Sequence, residues 1–304
     1  MIGTVVILGA KGRFGRNAVS AFKSAGWNVI AAGRNLDGLD YLDGIDVRDC
    51  DLSDRASTVA ACADADVIVH AVHPPYTEWA KLTPIFTANV IAAARASQAT
   101  VMIPGNIYSY GASMPRVLNE TTPHHPTTKK GTIRLTMEQT FKAANDIQTI
   151  ILRAGDFFEG VDTGNWLESH MLNKVNDGVM TYPGPMDHVH AWAYLPDMAR
   201  AMVGLAEARQ TLQAFEEFGF DGYSLTGWEL KEQVEAQLGS PVKVKRIPWG
   251  LMRILGWFQP LIREVMEMRY LWTTPHQIDG QKLRSVLPDF QPTRIEDAIA
   301  ATVS

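Results

Sequence analysis

Short apolar runs alternate with longer amphipathic stretches through the first half of the chain. Gly, Asp or Pro flanks the apolar runs, and the stretches between them repeat apolar residues at helical spacing. The runs predict strands at 4–8, 28–32, 45–48, 67–72, 100–104 and 147–153. The stretches predict helices near 13–25, 54–63, 78–98 and 131–145. This alternation is typical of a parallel sheet covered on both faces, so we predict an α/β fold with a Rossmann-type doubly wound sheet.

The pattern changes after about residue 155. Gly and Pro cluster in 155–164 and 183–185, helical patterns follow near 165–177 and 196–209, and from Gly227 the pattern is mostly helical apart from a short strand at 242–245. We therefore predict a dinucleotide-binding Rossmann domain, 1–155, and a smaller, mostly helical substrate-binding region, 156–304, interleaved with the core. A stripe rich in Trp, Leu and Met over 247–272 fits either a packed core or an apolar pocket wall.

Composition and charge narrow the classes of function. Hydrophobic residues make up 46% and charged residues 20%, as in ordinary folded proteins, and the net charge of −5 disfavours a nucleic-acid partner. Only Cys50 and Cys62 are cysteines, and no spacing suits metal ligands, so we expect neither a disulfide nor a metal site. The chain starts directly with a strand-like run and has no run long enough to span a bilayer. We therefore expect a cytoplasmic protein without a membrane partner.

A glycine-rich turn joins the first predicted strand to the first predicted helix. In such a turn the first glycine allows the tight bend, the second lets the backbone approach a pyrophosphate, and the third lets the helix pack on the sheet. The free N–H groups at the helix N-terminus then bind the phosphates. The sequence therefore predicts a dinucleotide site that includes Gly9, Gly12, Arg13, Phe14 and Gly15.

The end of the second predicted strand bears on the choice of cofactor. An acidic residue there binds the adenosine ribose 2′-hydroxyl and repels a 2′-phosphate, whereas this chain has Arg34. Lys11 and Arg13 in the glycine turn add further positive charge. We therefore expect NADP(H) rather than NAD(H), with a solvated surface arginine as the alternative interpretation of Arg34.

These motifs resemble the extended or atypical short-chain dehydrogenase/reductases, the NAD(P)-dependent epimerase/dehydratase-like group, over nearly the whole chain. The glycine spacing matches the GxxGxxG of that group. The resemblance implies that Asp51 and Leu52 contact the adenine, and that Ala71, Val72 and His73 line the cofactor after the fourth strand. It also places the 153–158 segment near the nicotinamide, and the 192–199 segment resembles a structural part of the substrate half.

The catalytic positions depart from the family pattern. The family has a Ser or Thr after the fifth strand and a Tyr-xxx-Lys on the next helix, and this sequence contains no Tyr-xxx-Lys. Aligned through Tyr110-Gly111, Asn106 occupies the serine position. Aligned through Glu138, Lys130 and Arg134 occupy the positions of the tyrosine and the lysine.

The residues at these positions still offer some of the required chemistry. The amide N–H of Asn106 can polarise a carbonyl, and Tyr108 offers a phenol. Lys130 can exchange a proton if burial or the nearby Lys129 and Arg134 destabilise its charged form. Arg134 can hold a ribose but cannot act as an acid. The alternative is that Lys130 is a solvated helix-start charge and that the tyrosines only pack.

The substrate half favours a small, weakly charged substrate. In the family an arginine shortly before the segment aligned at Asp197 holds a nucleotide-sugar diphosphate, but here that place falls at His190, and no arginine lies between Arg153 and Arg200. We hypothesise an NADP(H)-dependent oxidoreductase or epimerase/dehydratase-like enzyme that transfers a hydride to or from a small carbonyl or alcohol substrate. The alternative is a catalytically silent NADP(H) sensor or regulatory module. A homodimer is left open.

Overall fold

The computed structural model describes residues 2–160 and 164–303, and its first half consists of repeated strand–helix units. The six predicted strands and four predicted helices are all present, with ends within two residues of the prediction. The elements of this half are β1 (Thr4–Leu8), α1 (Arg13–Ser24), β2 (Asn28–Gly33), β3 (Asp46–Asp49), α2 (Arg55–Ala61), β4 (Val67–His70), α3 (Trp79–Ser97), β5 (Thr100–Gly105), β6 (Val117–Leu118), α4 (Lys129–Ala143) and β7 (Thr149–Arg153).

The second half is mixed rather than mostly helical. The helix expected near 165–177 is replaced by a π-helical turn, Leu167–Met171, and a 3₁₀ turn, Val175–Asp177. The elements of this half are β8 (Asp156–Phe158), β9 (Val179–Tyr182), β10 (Val189–Tyr194), α5 (Leu195–Ala208), β11 (Phe215–Gly219), β12 (Tyr223–Thr226), α6 (Gly227–Leu238), β13 (Lys243–Arg246), α7 (Trp249–Leu255), α8 (Pro260–Glu267), β14 (Gln277–Ile278), α9 (Gln281–Val286) and α10 (Ile295–Val303).

Seven parallel strands form the central sheet in the order β11-β7-β5-β4-β1-β2-β3. The predicted α/β doubly wound fold is therefore confirmed. The strand order changes direction between β1 and β4, which opens a crevice at their carboxyl ends, where ligands of such sheets bind. Strand β11 comes from the second half, so the two halves of the chain complete one sheet.

Apolar layers cover both faces of the sheet. Phe22 of α1 packs with Met198 of α5 on one face, and Phe141 of α4 packs with Val90 of α3 on the other. Because β1 and β4 are buried on both faces, they appear in the sequence as unbroken apolar runs. No helix within the described ranges is long and apolar enough to cross a bilayer.

The stripe at 247–272 divides into two parts. Its carboxyl end is core, since Leu271 and Trp272 are buried. The α7–α8 part contains no buried residue in either helix and exposes several large apolar side chains. The core interpretation therefore holds for the carboxyl end of the stripe, whereas the large apolar side chains of α7 and α8 face solvent rather than a core.

Candidate active site

The glycine-rich turn lies at the crevice between β1 and β4. Gly9 has a φ of +84°, a conformation that favours glycine, and any side chain on Gly15 would overlap the Gly9 carbonyl oxygen. Helix α1 begins directly after Gly12, and no side chain caps its first turn. The turn thus forms a cradle that a side chain would fill, and it offers backbone N–H groups to an anion. These features fit a dinucleotide pyrophosphate.

The other residues expected at the pyrophosphate and adenine have different surroundings. Phe14 is buried in the core beneath the turn. The Arg13 guanidinium donates to the Gly164 carbonyl at 2.6 Å and to Asn165 Oδ1 at 3.1 Å, so it ties the turn to the substrate half. Leu52 is buried, and its carbonyl accepts a hydrogen bond from Asn89 Nδ2 at 2.8 Å.

Arg34 and Asp51 lie near each other beside the expected adenosine end. Asp51 Oδ1 accepts hydrogen bonds from the Ser53 N–H and hydroxyl at 2.9 and 2.7 Å. These bonds, and to a lesser degree the Arg34 charge, lower the pKa of Asp51. Arg34 is exposed, and no hydrogen bond or ion pair joins its guanidinium to any described residue. Its charge is therefore available to a ligand.

A small cavity of about 10 Å³ lies behind the end of β4. His70 and Arg134 line it, and both His70 Nδ1 and Arg134 Nε are buried without a hydrogen-bond partner among the described residues. Burial and the Arg134 charge lower the pKa of His70 to about 3, so this imidazole is neutral. Arg134 NH2 donates to the Pro104 carbonyl at 3.0 Å, which leaves Nε as the unsatisfied donor. Glu138 Oε1 lies 3.9 Å from Nε, at ion-pair distance but without a hydrogen bond. A guanidinium donor without a hydrogen-bond partner here fits a ribose hydroxyl, as the resemblance implies.

The loop after β4 builds an aromatic wall. Ala71 N–H donates to the Leu8 carbonyl at 3.0 Å, which holds the loop against β1. The His73 ring lies 4.5 Å from the Trp79 ring and 5.6 Å from the Tyr76 ring. The His73 side chain reaches solvent at the cleft, but the surrounding protein and the charges of Arg134 and Arg13 lower its pKa. A neutral His73 accepts or donates a hydrogen bond but carries no charge for a substrate.

Two phenols meet between the β4 and β5 loops. The hydroxyls of Tyr76 and Tyr108 are 3.2 Å apart. Burial raises the pKa of both phenols, that of Tyr108 to well above its usual value, so both stay protonated. A side chain on Gly131 would overlap the Tyr108 carbonyl oxygen, so this glycine lets α4 pack directly on the Tyr108 loop.

Among the described residues, the side-chain amide of Asn106 is hydrogen-bonded through its oxygen only. Its Oδ1 accepts a hydrogen bond from the Tyr108 N–H at 3.1 Å, which fixes the orientation of the amide. No described residue accepts a hydrogen bond from Nδ2. Asn106 therefore presents a free donor next to the phenol pair.

Lys130 is almost completely buried and is held by two carboxylates of α8. Its Nζ contacts Glu264 and donates to Glu267 Oε2 at 2.7 Å, and its backbone N–H donates to Glu267 Oε1 at 3.1 Å. The same Nζ lies 5.0 Å from the centre of the Tyr76 ring. The groups that contact the ammonium are thus acidic, whereas the sequence reasoning considered the cations Lys129 and Arg134.

A buried cluster of ion pairs holds the loop that follows β5. The Arg153 guanidinium bonds Glu138 at 2.9 Å and Glu217 at 2.6 Å, and it also contacts the Asn106 carbonyl. Burial is the largest single influence on the pKa of Glu217 and raises it. The Arg153 charge and hydrogen bond, together with the nearby His124 and Lys282, nevertheless hold this pKa below its usual range. The cluster fixes the backbone that carries Asn106 and Tyr108.

The sequence of this chain matches the model of the NAD dependent epimerase/dehydratase family over residues 5–218. The chain belongs to that family. No curated protein sequence matches it significantly.

Several solved structures share the family fold over nearly their whole length. A provisionally assigned epimerase from Burkholderia cenocepacia J2315 is 19% identical, with a TM-score of 0.80 over 99% of this chain and 97% of that chain. The UDP-glucose 4-epimerase from Bifidobacterium longum, solved with NAD⁺ and UDP, is 16% identical, with a TM-score of 0.76 over 99% and 97%. A nucleoside-diphosphate-sugar epimerase from Pseudomonas aeruginosa is 19% identical, with a TM-score of 0.73 over 99% and 96%.

The structure brings further residues to the site that the sequence reasoning did not select. Asp156, at the start of β8, pairs with His190 Nε2 at 2.7 Å, and the His190 ring stacks on Trp272 at 4.3 Å. Tyr76 joins Tyr108, and α8 supplies the two carboxylates at Lys130. A Tyr directly after the His73-Pro74-Pro75 turn was the available signal for Tyr76. The α8 carboxylates lie more than 130 residues from Lys130 and have no local signal.

Proposed function

We propose that this protein is an NADP(H)-dependent oxidoreductase that reduces a small, uncharged carbonyl substrate by hydride transfer. The observation that carries the proposal is the pair of protonated phenols, Tyr76 and Tyr108, beside the free amide of Asn106 at the carboxyl ends of β4 and β5. When bound, the nicotinamide supplies the hydride.

The residues at the site divide the remaining work. Asn106 Nδ2 donates to the carbonyl oxygen and polarises it. The Tyr108 phenol, kept protonated by burial, gives its proton to the oxygen as negative charge develops. Tyr76 lies within hydrogen-bond distance to replace that proton and, being partly exposed, regains its own from solvent water. The Lys130 ammonium above the Tyr76 ring stabilises the phenol pair electrostatically. Because their raised pKa keeps both phenols protonated, they have a proton to give to the strongly basic alkoxide that hydride addition forms. They cannot remove a proton from an alcohol, which favours the reductive direction.

The cofactor preference rests on Arg34. Its exposed guanidinium suits the 2′-phosphate of NADP(H), and the uncapped first turn of α1 suits the pyrophosphate. Arg134 Nε suits a ribose hydroxyl. The structure of the Bifidobacterium epimerase contains NAD⁺, so the proposed preference for the phosphorylated cofactor rests on the residues of this chain alone.

The substrate class rests on the surroundings of His190. This histidine is buried, paired with Asp156 and stacked on Trp272, so it cannot neutralise a diphosphate. Tyr182 and His276, also buried, add aromatic rings packed around Trp272 and His190. The Bifidobacterium epimerase was solved with UDP, whereas here packed aromatic rings and the Asp156 carboxylate lie at this place. No cation among the described residues is present there for a diphosphate, which favours a small carbonyl compound or its alcohol.

One observation favours a second candidate, a catalytically silent NADP(H) sensor. Lys130 occupies the position of the family tyrosine, and Glu264 and Glu267 hold its ammonium. In that case the protein binds the cofactor and changes its interactions without turnover.

Calorimetric titration of NADP⁺, NADPH, NAD⁺ and NADH into wild type and Arg34→Ala tests the cofactor part of the proposal. We expect Arg34→Ala to weaken the binding of the phosphorylated forms by about tenfold or more, because it removes a charge-assisted bond. The exposed arginine Arg55, on α2, provides the control Arg55→Ala, which should change nothing. Equal loss for NADH and NADPH contradicts the assigned role of Arg34.

NADPH oxidation with a panel of small aldehydes and ketones tests the reaction. Tyr108→Phe should lower kcat by about 100-fold, a usual effect of losing a general acid, and leave NADPH affinity unchanged. Absence of turnover with any carbonyl, despite tight NADPH binding, favours the sensor. Absence of binding to any dinucleotide rejects both candidates.

A further inference from the structure

The α7–α8 hairpin, residues 249–267, presents an unusual surface to solvent. Trp257 and Phe258, at its tip, are 77% and 78% exposed. Further large apolar side chains of the two helices are also more than half exposed, namely Leu251, Ile254 and Leu261. Large aromatic residues are seldom left in water without a partner, and contiguous apolar patches of this kind mark interaction sites.

The tip has a defined backbone conformation. The N–H groups of Phe258 and Gln259 both donate to the Leu255 carbonyl at 3.0 Å, and Pro260 then starts α8. The turn therefore holds the two aromatic side chains outward. The opposite side of the hairpin faces the protein, where α8 supplies Glu264 and Glu267 to Lys130.

The charge of the hairpin and of the strand before it is opposite to that of the whole chain. Residues 241–267 contain five basic residues and two acidic ones, Glu264 and Glu267, whose carboxylates are both bound to Lys130, while the chain has a net charge of −5. All five cations are exposed, and none forms an ion pair with a described residue. They are Lys243, Lys245, Arg246, Arg253 and Arg263.

An apolar tip with unpaired cations complements an anionic lipid bilayer. Trp and Phe side chains enter the boundary between headgroups and acyl chains, and lysine and arginine pair with lipid phosphates. A second copy of the chain is a poorer partner, because a symmetric contact through this face brings the cations of both copies together. Helices of seven and eight residues are far shorter than the roughly 20 residues needed to span a membrane, so the contact stays at the interface.

We propose that the α7–α8 hairpin docks this protein onto anionic membrane surfaces. This proposal does not depend on the proposed reaction. It also revises our expectation of no membrane partner, which rested on the absence of a spanning segment. Since α8 reaches Lys130 from its other side, the docking surface and the phenol pair are connected through one helix.

Co-sedimentation of the full-length protein with vesicles tests the proposal. We expect binding to vesicles of phosphatidylglycerol and phosphatidylcholine, and much weaker binding to phosphatidylcholine alone. The double variant Trp257→Ser/Phe258→Ser should weaken binding by at least about tenfold, because two large apolar side chains no longer enter the bilayer. Arg253→Gln and Arg263→Gln should each weaken it by about fivefold.

The control is Trp228→Ser, because Trp228 is 52% exposed but lies on α6, outside the hairpin. This variant should bind vesicles like wild type, and thermal melting should show that all variants fold. Equal pelleting with neutral and anionic vesicles, or no loss in the double variant, overturns the proposal. A dimer in sedimentation velocity that the double variant converts to monomer, without vesicle binding by wild type, assigns the face to self-association instead.

Discussion

Around the ends of β1 and β2, the protein leaves polar groups without protein partners. No side chain caps the first turn of α1, and the Arg34 guanidinium is exposed and unpaired within the described ranges. Around β5, β7 and α4 the charges are buried and paired, as Arg153 is with Glu138 and Glu217. We call the first the open region, because its polar groups are available to a ligand from solution. We call the second the closed region, because its charges hold its own loops in place, so we expect substitutions there to affect stability first.

The largest effect is expected from breaking the buried cluster. Arg153→Met leaves Glu217 without the arginine that pairs with it. It also leaves Glu138 buried with only the Arg134 guanidinium 3.9 Å away, and the two losses should lower the free energy of unfolding by about 3–5 kcal/mol. Urea denaturation measures this. Arg55→Met, an exposed arginine on α2, is the control and should stay within about 0.5 kcal/mol of wild type. A small loss in Arg153→Met refutes the view that this region depends on internal charge pairing.

The difference between the regions also explains what the sequence predicts. Strands buried on both faces, such as β1 and β4, appear as apolar runs, and the glycine turn follows β1 directly. The sheet and the glycine turn can therefore be predicted from short stretches of sequence. Strand β11, Phe215–Gly219, was not predicted, because two of its five residues are the acidic Glu216 and Glu217. Their charges are paired with Lys282 and Arg153. Such pairing over long sequence distance leaves no periodic pattern.

The second largest effect tests the open region through Gly12. Its backbone conformation suits any residue, but a methyl group there would lie 3.2 Å from the Gly9 carbonyl oxygen, in the expected path of the pyrophosphate. Gly12→Ala should weaken NADPH binding by about 10- to 100-fold while changing stability little. Calorimetry and thermal melting measure the two quantities. Gly250→Ala is the matched control, since a methyl group on this α7 glycine meets no atom within 4 Å.

The third effect is a pH dependence of stability caused by His70, which is buried beside Arg134 of α4 in the closed region. His70 is neutral when folded because burial and Arg134 lower its pKa to about 3, and its ordinary value is 6.5. Below pH 6.5 the unfolded chain binds a proton that the folded protein does not. The contribution of His70 is therefore fully present above pH 6.5 and is lost as the pH falls, by up to about 1.4 kcal/mol per pH unit.

His70→Gln should reduce that slope between pH 6.5 and 5.5, as measured by urea denaturation at several pH values. His125→Gln, at an exposed histidine, is the comparison variant and should keep the wild-type slope. An unchanged slope in His70→Gln means that His70 already binds a proton in the folded protein, and thus that the cavity beside Arg134 is wetter than its burial indicates.

The smallest effect on stability is expected at Lys130, a buried cation whose two carboxylate partners are partly exposed. Glu264 and Glu267 keep 23% and 20% of their side chains exposed, unlike the enclosed partners of Arg153. Glu267→Gln retains an oxygen for the Lys130 N–H and leaves Glu264 on the ammonium, so it should cost less than about 1 kcal/mol. Glu267→Ala loses that acceptor as well and should cost more. If Glu267→Gln destabilises the protein as much as Arg153→Met, then α8 is part of the rigid core. If the loss is small, α8 covers Lys130 through contacts weak enough to open, and the hairpin is a movable cover over the lysine that lies beside the Tyr76 ring.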